Sequence, residues 1–125
     1  MKLLNDFFRI EKSEIADGNY ICRVRLNVDH TIYRAHFPGN PITPGVCLVQ
    51  MVTECLEQFL GKNLYLKEVK NIKFLSVLSP VENDRVTLVF PKAALWETEC
   101  NVQVAIVSAE IQYAKMSLIY AYEPL

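Results

Sequence analysis

Apolar and polar residues alternate along residues 7–15 and again along 20–28, the period of a strand with one face buried, and Asp17-Gly18-Asn19 between them is a turn signal. The pattern predicts a β-hairpin. Residues 29–45 then hold three of the six prolines and two of the four glycines, which predicts a shaped loop without regular structure. Residues 46–60 read V-C-L-V-Q-M-V-T-E-C-L-E-Q-F-L, with no Gly or Pro inside, Thr43-Pro44-Gly45 ahead and Gly61 behind. These are the start and stop signals of a helix. Its first turns are apolar almost all round, where a surface helix would carry a polar face, so a buried central helix is expected.

Four stretches rich in Val, Ile, Tyr and Phe follow, at 64–75, 85–90, 97–108 and 110–122. Residues 80–84, Pro91 and a tight turn near Ser108 separate them. The predicted order is two strands, a helix and four strands. A lone apolar helix among about six antiparallel strands can bury itself only if the sheet curls round it. The expectation is therefore an α+β fold, a curved antiparallel sheet of about six strands wrapped round one central helix at about 46–60, forming a single domain over residues 1–125.

Composition narrows the function classes. The chain is 51% apolar and 22% charged. That share suits a well-filled core, and the slightly positive mean hydropathy points to apolar surface hidden in a subunit contact. Net charge is -1 with both signs scattered, which argues against a nucleic-acid partner. No run is apolar and long enough to span a bilayer, and the first residues lack an apolar signal segment, so a cytoplasmic protein with no membrane partner is expected. Cys22, Cys47, Cys55 and Cys100 are widely spaced and the only histidines are His30 and His36. Buried free thiols are expected, and no metal site.

The chemistry concentrates in the loop before the helix: His36-Phe37-Pro38-Gly39-Asn40-Pro41-Ile42-Thr43-Pro44-Gly45-Val46. Prolines fix φ, glycines permit close approach, and together they hold a histidine rigidly beside a helix start. There the free amides of Gly45 or Val46 could receive a substrate carbonyl and stabilise developing negative charge. His30 reads as a turn or surface residue.

This loop resembles that of the 3-hydroxyacyl-(acyl carrier protein) dehydratases, whose pattern H-F-P-G-x-P-x-x-P-G-V is matched at every fixed position. The motif covers under a tenth of the chain, and Ile72-Lys73-Phe74 followed by Pro80 and Asp84 is similar to the family's third strand and turn. The resemblance implies a hot-dog fold, a homodimer or a trimer of dimers, no cofactor, and an acyl carrier protein bearing a thioester-linked acyl chain as partner. It also implies that His36 is the general base taking the α-proton, a role that suits an imidazole titrating near neutral pH.

Two positions depart from the family. Its acid, fourteen residues after the histidine, is here Gln50, and its glutamine one turn later is here Glu54. An amide can bond or orient a hydroxyl but cannot protonate it as an acid does. Residues at i and i+4 share a helix face about 6 Å apart, which makes Glu54 a candidate replacement acid. Its bland alternative is a solvated side chain, or one paired with a lysine. Gln50 interrupts an apolar stretch, so its amide needs a hydrogen-bond partner. Ala35 replaces a common Gly, and Asp29, His30 and Thr31 replace a polar-acidic-proline lead-in. The catalytic candidates are thus His36, Gln50 and Glu54, and the substrate-binding candidates Phe37, Gly45 and Val46.

The reading is a dehydratase-like protein of fatty-acid or polyene-type lipid biosynthesis. Its alternatives are a hot-dog acyl thioesterase, with Gln50 and Glu54 positioning water, or a non-catalytic subunit that binds a carrier protein or an active paralogue.

Overall fold

The computed structural model describes residues 2–35, 39–91, 94–95 and 99–123. Along them run β1 (Phe8–Ala16), β2 (Asn19–Leu26), α1 (Thr31–Ala35), α2 (Gly45–Leu60), β3 (Leu64–Phe74), β4 (Arg85–Pro91), β5 (Ala94–Leu95), β6 (Glu99–Ser108) and β7 (Ile111–Tyr122). The strands form one antiparallel sheet in the order β1-β2-β4-β6-β7-β3, with β5 beside β6. This is the α+β architecture that the pattern predicts, with a short seventh strand added.

Alternation sets the sheet's inner face. Cys100, Val102, Val104 and Ile106 of β6 are buried with Met116, Leu118 and Tyr120 of β7, Val86, Leu88 and Phe90 of β4, and Cys22 and Val24 of β2. They share one cluster with Cys47, Leu48, Met51, Val52, Cys55 and Leu56 of α2, so the helix is the core's second layer. Burying a side chain of this size is worth about 1.5–3 kcal/mol.

Turn chemistry fixes register. Asp17 and Gly18 both take positive φ, 53° and 78°, so a two-residue turn joins Ala16 to its partner Asn19. Gly61 ends α2 at φ 65° with its N–H on the Glu57 carbonyl, as the stop signal predicts.

The loop expected to lack regular structure contains α1. Five residues cannot form a helix on their own. Packing supplies the difference: Tyr33 is buried and stacks on Phe7 with ring centroids 5.2 Å apart. His30 starts this turn. Its Nδ1 accepts the Ile32 N–H at 3.1 Å, which leaves Nε2 as donor to Asp6 Oδ2, also at 3.1 Å.

Candidate active site

Among the described residues the start of α2 carries no side-chain cap. Pro44 is the N-cap residue, extended at φ -63° and ψ 145°, and its carbonyl accepts the N–H of Cys47 at 3.0 Å and of Leu48 at 3.2 Å. Gly45 and Val46 are therefore first-turn residues, whose amides lie at the positive end of the helix. The Val46 side chain is 67% exposed. A Cβ on Gly45 would come within 2.7 Å of Cζ of Phe74, so glycine is what lets the Phe74 ring of β3 lie over the helix start. Behind the loop, Thr43 donates its N–H to the Leu78 carbonyl at 2.8 Å, and its buried hydroxyl bonds that of Tyr33 at 3.0 Å. His36 and Phe37 lie outside the described residues.

The structure brings Gln50 and Glu54 together. Gln50 Nε2 donates to Glu54 Oε2 at 2.9 Å, giving the amide the partner its apolar setting requires. Glu54 is only 4% exposed and, among the described residues, is bonded by amide N–H groups, so it is neither the solvated side chain nor the lysine-paired one of the bland alternative. Its other donors come from the chain's beginning. The Leu3 N–H lies 3.0 Å from Oε1 and 2.9 Å from Oε2, and the Leu4 N–H lies 2.7 Å from Oε1. Buried Leu3 and Phe7 anchor that segment, and a turn in which the Leu3 carbonyl accepts the N–H of Asp6 and Phe7 shapes it. Beside the pair is a cleft of about 390 Å³ lined by Lys2, Val49, Gln50, Thr53, Glu54 and Tyr65 among others.

All four cysteines are free, buried thiols. Burial pushes Cys47 up, and it pushes Cys100 up to about 11. Contact with Cys22 and then burial raise Cys55; the reciprocal bond lowers Cys22, which is fully buried on β2.

Sequence reasoning missed the backbone donors at Leu3 and Leu4 and the Tyr33–Thr43 pair. The available signal was Leu3-Leu4 just ahead of a strand, together with a carboxylate in the middle of an apolar helix.

A curved antiparallel sheet packed on one long helix, which a proline- and glycine-rich loop enters, defines a hot-dog protein. The fold aligns with the ApeI:P dehydratase heterocomplex from Xenorhabdus doucetiae at TM-score 0.67 and 16% identity, covering 90% of this chain and 96% of that one. It aligns with the putative thioesterase yhdA from Lactococcus lactis at TM-score 0.68 and 10% identity, covering all of both chains. A family model described as ApeI-like, ApeI dehydratase, matches residues 11–117, and the chain belongs to that family. Among curated relatives, the 3-hydroxyacyl-[acyl-carrier-protein] dehydratase FabZ of Levilactobacillus brevis is 29% identical over 101 residues, covering 73% of this chain and 68% of the relative.

Proposed function

We propose that this protein removes water from 3-hydroxyacyl thioesters carried on an acyl carrier protein, in fatty-acid or polyene-type lipid biosynthesis in the cytoplasm. The observation that carries the reading is the motif loop running directly into α2, whose uncapped first turn is followed by Gln50 beside a cleft. The amides of Gly45 and Val46 receive the thioester carbonyl and stabilise negative charge as the α-proton leaves, and Phe37 is the motif's further substrate-binding residue. His36 takes that proton. As imidazolium it can return it to the departing hydroxyl, so water leaves with no net change in protonation. Gln50, with Glu54 behind it, stands on the hydroxyl side. This needs no metal or organic cofactor.

A pair of subunits is part of the proposal. β3 is one of the two outer strands of the sheet, the other being β1, and it exposes Tyr65, Val69 and Phe74, apolar side chains on an edge that a second strand could cover. Analytical ultracentrifugation should find at least a dimer; a monomer at micromolar concentration would remove this part.

The functional test is the intact mass of a 3-hydroxyacyl carrier protein after incubation with wild type and with His36→Ala. Loss of water that requires His36 supports the dehydratase. Release of free acid would make the protein a thioesterase, and an unchanged mass would make it a binding subunit.

A further inference from the structure

A carboxylate has no donor, so the part of the Gln50 carboxamide that faces Glu54 must be the nitrogen, as the 2.9 Å contact from Nε2 has it. The planar amide then places Oε1 on the opposite side. Polarity thus runs in one direction: the N–H groups of Leu3 and Leu4 donate to Glu54, and Gln50 donates to Glu54. Both carboxylate oxygens already accept N–H bonds, which suits an acceptor better than a proton donor. We propose that Glu54 is a positioning residue that fixes Gln50 with its carbonyl oxygen as the acceptor for the substrate's 3-hydroxyl. The N-terminal turn belongs to the site because it holds Glu54. This rests on the dehydratase reading.

The exchange of acid and amide has a physical logic. A carboxylate at position 50 would accept from an amide nitrogen at position 54, whose oxygen could still take the Leu3 and Leu4 N–H groups. Either order presents an acceptor at position 50. Two amides do not. In Glu54→Gln the new oxygen stays with the backbone N–H groups, so the new nitrogen faces Gln50 and forces its carboxamide to turn, presenting a donor to the substrate.

The test compares wild type, Glu54→Gln and the double exchange Gln50→Glu/Glu54→Gln. Nitrogen-15 NMR without ligand should show a Gln50 Nε2 proton shifted downfield by its carboxylate acceptor, and Glu54→Gln should lose that shift while keeping the Leu3 and Leu4 amide resonances. In binding assays, Glu54→Gln should weaken 3-hydroxyhexanoyl-pantetheine about tenfold and leave hexanoyl-pantetheine unchanged, since only the former has the hydroxyl. The double exchange should restore the ratio. Equal weakening of both thioesters, or Gln50 resonances unaltered in Glu54→Gln, would overturn the positioning role alone. Wild type binding neither thioester would overturn the hydroxyl role together with the dehydratase reading.

Discussion

Glu54 and the carboxylates of the β1–β2–β4 surface perform opposite tasks with the same group. On the outer face Glu14 meets Arg23 at 2.7 Å, Glu11 meets Arg85 at 2.9 Å and Asp84 meets Arg25 at 2.9 Å, all with side chains partly open to water. The guanidinium bonds hold all three carboxyls below their ordinary range. Each such pair exchanges water for arginine and contributes little. Glu54 is buried, and its donors are amides of the turn at Leu3-Leu4 and of Gln50. Removing it would leave those donors without their acceptor. A cation neutralises a carboxylate from many angles, whereas three N–H bonds fix its orientation.

The largest effect expected from breaking this contrast is in Glu54→Leu. It leaves the Leu3 and Leu4 N–H groups and the Gln50 amide without their acceptor, and a urea melt should show a loss of about 2–4 kcal/mol. Leu3→Ala comes next, at roughly 2–3 kcal/mol for a side chain 2% exposed. Because the Leu3 side chain anchors the segment whose backbone N–H groups bond Glu54, the double variant should lose less than the sum of the two, a coupling that a double-mutant cycle would measure. Gly61→Ala, at the end of α2, should cost about 1 kcal/mol by the same melt, since φ of 65° suits glycine best.

Asp84→Asn should have the smallest effect, a shift of the urea midpoint at neutral pH below that of Gly61→Ala. Its folded carboxyl titrates below the ordinary 3.8, so its contribution is present above that value and fades as pH falls through the folded-state value. Wild type and variant should therefore converge in acid. A variant equally impaired at pH 7 and pH 2 would assign Asp84 a role other than its ion pair.

The same contrast explains what could be read in the sequence. Side-chain patterns gave away the hairpin at Asp17-Gly18, the helix ending at Gly61 and the alternating inner faces of β4, β6 and β7, because each is a local signal. α1 escaped because its stability comes from Tyr33 against Phe7, a contact between segments whose partnership no short-range pattern announces. Gln50 and Glu54 were legible as a pair one turn apart, and the need of Gln50 for a partner was legible from its apolar neighbours. The partners of Glu54 were not. They are backbone N–H groups, which every residue but proline has, brought from 50 and 51 positions away by the burial of Leu3.

The most direct test of the account is the rate of water loss from a 3-hydroxyacyl carrier protein, followed by intact mass for wild type, His36→Ala and Gln50→Glu/Glu54→Gln. Water loss by wild type and the double exchange, abolished in His36→Ala, is the predicted result. No water loss by wild type, or water loss undiminished in His36→Ala, would contradict it.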